Sequence, residues 1–234
     1  MAVQQVSLLE DFISLFFPRL CLGCEQSLPR NLDYLCPSCQ LALPRTDNHL
    51  IEVPSFTQKF SGLIAFEHIL VYMHFHKKGI VQRMMHELKY NHQKELGQML
   101  GRWYGGKLQT DGFQNAFDCV VPVPLHKSKL RKRGYNQSEF FALGLAEAFG
   151  IPCLPNALER TRANETQTRK NRLERWQNVE NLFVPAEPEN LKGKRVLLVD
   201  DVLTTGATLE ACALLMTSLP TTIVSLATLA MADD

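Results

Sequence analysis

The chain comprises 234 residues, of which 45% are hydrophobic and 21% charged, and its formal net charge is +1. Such a length carries one substantial domain with a small appendage, and the composition is that of an ordinary globular protein. Near-neutrality excludes recruitment of a polyanion through net charge alone, and no run approaches the roughly 20 apolar residues of a membrane-spanning helix, so no membrane insertion is expected.

The first apolar run, Phe12 to Phe17, is short, follows Glu10 and Asp11, and has no basic residue ahead of it. A secretory signal has the opposite arrangement, so the run reads as a short amphipathic helix packed on the body, and a cytoplasmic location is expected. Next come Cys21-x2-Cys24, eleven residues, and Cys36-x2-Cys39. In a reducing compartment disulfides are disfavoured, and two CxxC hooks offer four thiolates to a tetrahedral zinc at about 2.3 Å. Gly23 and Pro37 support the two turns, and Pro44 stiffens the exit. A segment of some 25 residues buries too little surface to fold alone, so metal would supply the missing stability. Four protein ligands leave no open position, which makes the zinc structural. An iron–sulfur centre, a redox CxxC pair and four unrelated cysteines are the competing readings. Cys119, Cys153 and Cys212 lie apart in apolar context.

Residues 1–45 thus form an N-terminal helix and knuckle, and 46–62, without periodicity, reads as a linker. Residues 63–76 (LIAFEHILVYMHFH) predict a strand pair; 79–90, apolar at Ile80, Met84, Met85 and Leu88, predicts a helix, and 93–107 a second. The pattern then alternates: strand 117–123, helix 137–149, strand or extended chain 151–158, strand 195–199, helix 207–219 and strand 222–229. Alternation of this kind gives an α/β fold over 63–234, a mainly parallel sheet flanked by helices, with ligands at the carboxyl ends of the strands. His74, His76, His86 and His92 lack ligand spacing and read as chance neighbours.

The strongest signal follows the strand Val196–Val199: Asp200-Asp201, then Val202-Leu203-Thr204-Thr205-Gly206-Ala207-Thr208 and a helix. A helix opening after a strand presents unsatisfied N–H groups to an anion. Gly206 allows close backbone approach, Thr204, Thr205 and Thr208 add hydroxyl donors, and the paired carboxylates suit neighbouring hydroxyls of a sugar. Together these describe a cup for a ribose 5-phosphate. A receiver-type strand also ends in paired aspartates, but near an N-terminus and without the Thr-Thr-Gly-Ala-Thr tail; a simple cap by Asp200 is the other alternative. Two basic runs accompany the loop. One, read as a loop, is Lys127, Lys129, Arg131, Lys132 and Arg133 after Pro124-Leu125-His126; the other, read as a mobile loop and then a short helix, spans Arg160 to Arg175. Fixed cations stabilise a leaving diphosphate, although either run also reads as a solvated basic turn or helix face.

VLLVDDVLTTGATL resembles the phosphoribosyl pyrophosphate (PRPP) motif of type I phosphoribosyltransferases. Nearly the full chain resembles the ComF family, which joins a four-cysteine zinc finger to such a domain and is linked to DNA uptake in natural competence. Leu88-Lys89-Tyr90, VVPVPLHKSKLRKRGYNQ and LKGKRVLLVDDVLTTGATL carry the likeness. The resemblance implies that Asp200 and Asp201 hold the ribose hydroxyls with Mg²⁺ nearby and are the catalytic pair. Val199, Thr204, Thr205, Gly206, Ala207 and Thr208 would complete the PRPP site. Pro124, Leu125, His126, Lys127, Arg131, Arg133 and Gly134 would face the pyrophosphate, with Arg162 and Arg172 on a lid. No role follows for Lys89. Two functions are expected: a transferase with an unknown acceptor, or a non-catalytic, PRPP-regulated handler of single-stranded DNA that stacks bases on Tyr135, Phe140 or Trp176 and works with DNA-uptake proteins.

Overall fold

Four apolar runs, far apart in sequence, pair into one parallel sheet. The computed structural model describes residues 16–51, 54–60, 62, 64–161 and 182–232. Most of the expected N-terminal helix, Arg162, Arg172, Trp176 and nearly all of the second basic run lie outside the described residues. The strands are β1 (Ile69–Phe75), β2 (Cys119–Pro122), β5 (Arg195–Leu203) and β6 (Ile223–Ala232), in the order β1-β6-β5-β2. A short antiparallel pair, β3 (Leu158–Arg160) and β4 (Phe183–Pro185), stands apart from them. The helices are α1 (Pro37–Leu41), α2 (Pro54–Thr57), α3 (Ile80–Tyr90), α4 (Lys94–Leu108), α5 (Lys127–Arg133), α6 (Gln137–Phe149) and α7 (Ala207–Thr217).

The central strands read as continuous apolar runs because both faces of the sheet are covered. Along β5, Leu197 and Val199 point to a core shared with α3, α4 and α6, while Val196 and Leu198 point to one shared with α7. Cys21, Leu28, Leu35 and Leu43 join the first of these cores, so the cysteine knuckle rests directly on α3 and α4. No helix among the described residues is long and apolar enough to cross a membrane.

Three expectations are corrected. Residues 63–76 hold one strand, not a strand pair: β1 finds its partner in β6, in the register Ile69–Leu226, and the run contains no turn dipeptide that would close a hairpin. The basic run 127–133 is helical rather than a loop, capped by His126 Nδ1, which accepts the Ser128 N–H at 3.2 Å, and ended by Gly134 at φ 83°. Finally, β5 does not stop at Val199. Asp200 lies opposite Thr228 of β6, and pairing continues to Leu203–Met231, so the acid pair is part of the sheet.

Both sheet edges are bordered by extended chain. Beside β1, Thr46 N–H donates to Tyr72 O at 2.9 Å, His74 N–H donates to Pro44 O at 2.8 Å, and Asn48 Oδ1 accepts the Val71 N–H at 3.0 Å. Beside β2, Val120 donates to Pro152 O at 3.0 Å and accepts from Leu154 N at 2.8 Å. Residues 151–154 therefore provide the first half of the stretch expected over 151–158, and the chain then turns at 155–156 before β3.

Helices α4 and α6 cross at close range because glycines meet there. A methyl group on Gly144 would fall on the Gln98 carbonyl oxygen, and one on Gly101 on the Phe141 carbonyl oxygen. Gly144→Ala should gain about 1 kcal/mol of helix propensity but incur overpacking of about 1–3 kcal/mol. The expected result is a lower denaturant midpoint for that variant. An unchanged or higher midpoint would show that the two helices separate freely.

Candidate functional site

Strand β5 carries Asp200 and Asp201 into a cleft whose walls come from α3, α5, α6 and β3. Asp200 Oδ1 accepts the Ser138 hydroxyl at 2.8 Å and the Asp201 N–H at 2.8 Å. Asp201 Oδ2 accepts the Lys89 ammonium at 2.8 Å and the Gln137 amide at 2.9 Å. Each carboxylate is therefore anchored through one oxygen, and its other oxygen takes no hydrogen bond from a described residue. Ser138 and Gln137 belong to the first turn of α6, which Asn136 fastens to the loop after β2 by donating to Val123 O at 3.0 Å. The Gln137 Oε1 acceptor is buried without a partner among the described residues, so a donor on a ligand or a water would complete it.

Burial, and then the charge of Asp201, push the Asp200 carboxyl up to about 7, against the opposing pull of the Asp201 N–H, the Ser138 hydroxyl and Lys89. The cleft, about 190 Å³ in volume, also exposes Lys89, Lys129, Arg133, Arg160 and Thr208. It thus sets two carboxylates against several cations. Two carboxylates with available oxygens fit Mg²⁺, which takes one or two such ligands and completes its octahedron with phosphate oxygens and water.

Of the predicted residues, Asp200, Asp201, Thr208, Pro124, Leu125 and Arg133 line this cleft. Val199 lies beneath it, fully buried in the sheet. Thr204 and Thr205 are exposed on the adjoining loop and Ala207 is exposed as the first residue of α7, which Gly206, at φ 74°, opens. A side chain at Gly206 would meet Lys59 O at 2.9 Å and the Phe60 ring at 3.0 Å, so this glycine accommodates the chain after α2. His126 caps α5, Lys127 pairs with Glu159 at 2.7 Å, and Arg131 is exposed. Lys129 and Arg160, expected only as members of the two basic runs, also line the cleft, whereas sequence reasoning gave Gln137 no contact there, missed Ser138 and assigned Lys89 no role. Arg160 falls in β3 rather than on a loop, with its guanidinium 5.2 Å from the Phe183 ring centroid.

A second cleft, about 450 Å³, opens on the other side of the Gly134–Asn136 turn and is lined by His92, Lys94, Tyr135, Glu139 and Phe140. The Tyr135 and Phe140 rings meet edge to face at 5.4 Å, and Lys94 Nζ lies 5.5 Å from the Phe140 ring centroid. At the knuckle, the four cysteine sulfurs lie within 4.8 Å of one another, and Cys24 Sγ is 3.8 Å from Cys36 Sγ. A tetrahedron with Zn–S bonds of 2.3 Å has an edge of about 3.8 Å, so this donor set fits zinc. Burial raises the Cys21 thiol, but backbone N–H groups of Cys36, Cys24 and Gly23 outweigh it and bring the group down to about 6.

The Asp200 environment has a measurable consequence. The unfolded carboxyl ionises near pH 4, whereas the folded one holds its proton to about 7, so folding is progressively disfavoured as pH rises between those values. Asp200→Asn should therefore gain stability relative to the wild type as pH rises from about 4 to about 7, and the difference should then level off. Equal pH dependence in the two unfolding curves would contradict this.

Residues 140–233 match the phosphoribosyl transferase domain family. Competence protein F of Haemophilus influenzae is 37% identical over 103 residues, which cover 44% of this chain and 45% of that protein. DNA utilization protein YhgH of Escherichia coli K12 is 31% identical over 137 residues, covering 57% and 59%. The chain thus aligns with about half the length of these relatives. Among solved structures, the glutamine PRPP amidotransferase of B. subtilis is 24% identical with a TM-score of 0.41, covering 61% of this chain and 30% of that one. The chain is thus similar to competence protein F and YhgH over about half its length, and its C-terminal part is similar to the phosphoribosyl transferase domain.

Proposed function

We propose that this protein binds PRPP with Mg²⁺ in the cleft at the end of β5 and acts as a ComF-type phosphoribosyltransferase-like protein in DNA uptake. The observation that carries the reading is the acid pair: two carboxylates, each anchored through one oxygen and open at the other, beside a cationic cleft. Two open oxygens suit the vicinal hydroxyls of a ribose. The opening turn of α7, with Thr204, Thr205 and Thr208, suits its 5-phosphate. Lys129 and Arg133, together with Pro124 and Leu125, form the diphosphate side. Mg²⁺ entering with the ligand would lie near the acid pair and would supply neutralising charge to the diphosphate.

In the enzymatic form of the reading, the bond from ribose C1 to the diphosphate oxygen breaks and its electron pair leaves with pyrophosphate. A nucleophile then bonds to C1. The protein contributes position and fixed charge rather than proton transfer. The second cleft favours the alternative, a PRPP-regulated handler of single-stranded DNA. Its edge-to-face rings beside Lys94 and His92 suit a stacked base and a nearby phosphate, and the relatives' names concern competence and DNA utilization. The knuckle, on either reading, holds one structural zinc through Cys21, Cys24, Cys36 and Cys39.

Calorimetric titration of zinc-loaded protein with PRPP and Mg²⁺ tests the site, and pyrophosphate release in the presence of candidate acceptors separates the two functions. No PRPP binding would remove the reading altogether. Asp201→Asn should fold normally and bind PRPP about a hundredfold more weakly, a loss of ~3 kcal/mol; wild-type affinity in that variant would refute the assignment. Cys21→Ser should lose zinc and melt about 5 °C lower, equivalent to ~2 kcal/mol in a chain of this size. Full zinc retention in Cys21→Ser would count against the knuckle.

A further inference from the structure

The acid pair already holds a cation, and that cation is part of the protein. Lys89 stands in the last turn of α3, with its ammonium 2.8 Å from Asp201 Oδ2; its side chain is 26% exposed and that of Asp201 14%. Three contacts place it there. The Tyr135 hydroxyl donates to the carbonyl of the preceding residue, Leu88. Asn91 closes the helix end, its N–H donating to Glu87 O at 3.1 Å and its side-chain amide to Glu87 Oε1 at 2.8 Å. At the other end of α3, Arg83 donates to the Gly23 carbonyl inside the cysteine knuckle.

Gln137 donates to the same Asp201 oxygen at 2.9 Å. The ammonium can therefore leave while the carboxylate stays hydrogen-bonded and keeps its orientation. A divalent cation approaching Asp200 and Asp201 meets a positive charge at close range, and like charges in a partly buried cleft repel strongly.

Resting on the PRPP reading above, we infer that Lys89 is a built-in counter-cation that keeps free divalent metal off the acid pair and transfers to the diphosphate when the ligand arrives. The metal consequently enters together with PRPP, because the ligand brings the anionic oxygens that draw Lys89 away from Asp201. Two opposite effects follow from the removal of one charge. Metal alone binds more tightly without Lys89, whereas PRPP binds more weakly, having lost a cationic partner. A purely structural lysine would weaken both.

The test is titration of Mn²⁺, followed by its electron paramagnetic resonance signal, into zinc-loaded wild type, Lys89→Met and Lys89→Arg without PRPP. Each protein is then titrated calorimetrically with PRPP and Mg²⁺. Zinc loading keeps the thiolates occupied, and Mn²⁺ reports oxygen-rich sites. Lys89→Met should bind Mn²⁺ about tenfold more tightly than wild type and PRPP about tenfold more weakly, a coupling of ordinary size between two sites. Lys89→Arg, which keeps the charge, should stay near wild type for Mn²⁺. Unchanged or weaker Mn²⁺ binding by a Lys89→Met protein with a wild-type melting curve would overturn the inference. Should Lys89→Met fail to fold, Lys89→Gln carries the same two expectations. Failure of the wild type to bind PRPP would sink the PRPP reading, and the Mn²⁺ comparison would still decide whether Lys89 guards the acid pair.

Discussion

Two adjacent carboxylates at the end of a buried strand repel one another and resist desolvation, and the fold is arranged around that difficulty. Burial and the neighbouring charge raise the Asp200 carboxyl to about 7. The partners of the pair are recruited from distant parts of the chain: Lys89 from α3 and Gln137 from α6 for Asp201, and Ser138 from α6 for Asp200. Placing these donors requires α3 and α6 to be held firmly. The glycine contact between α4 and α6 and the knuckle seated on α3 provide that support. A partly buried ionic network of this kind contributes little net stability. The constellation therefore reads as a site maintained for binding.

The architecture was largely legible because a parallel sheet covered on both faces writes itself as separate apolar runs with helical periods between them. β2, β5, β6, α3, α4, α6 and α7 all fall within a few residues of expectation. Two of the three errors have one cause, long-range pairing; the third, the helix at 127–133, is set by its local caps, His126 and Gly134. Residues 63–76 look like a hairpin until β6, some 150 residues later, takes β1 as its neighbour. The aspartates look like a loop until Thr228 pairs with Asp200. Local sequence does not reveal either contact.

The site was half legible. Asp200, Asp201 and Thr208 were visible because carboxylate, glycine and threonine at that spacing have few other uses. Gln137 was hidden at the end of the Gly-Tyr-Asn-Gln stretch and Ser138 just after it, although the start of a helix after a basic run was a usable signal, since its first turn faces the same strand ends. Lys89 carried no local sign of its partner, and only the packing of α3 brings it to Asp201.

The bordering of the sheet has a consequence for assembly. Thr46 and Asn48 occupy hydrogen-bonding positions along β1, and Pro152 and Leu154 do the same along β2. A further strand, from another copy or from a bound peptide, would have to displace one of these borders before it could extend the ladder. Edge-to-edge pairing is therefore not the open route to association that bare outer strands would offer.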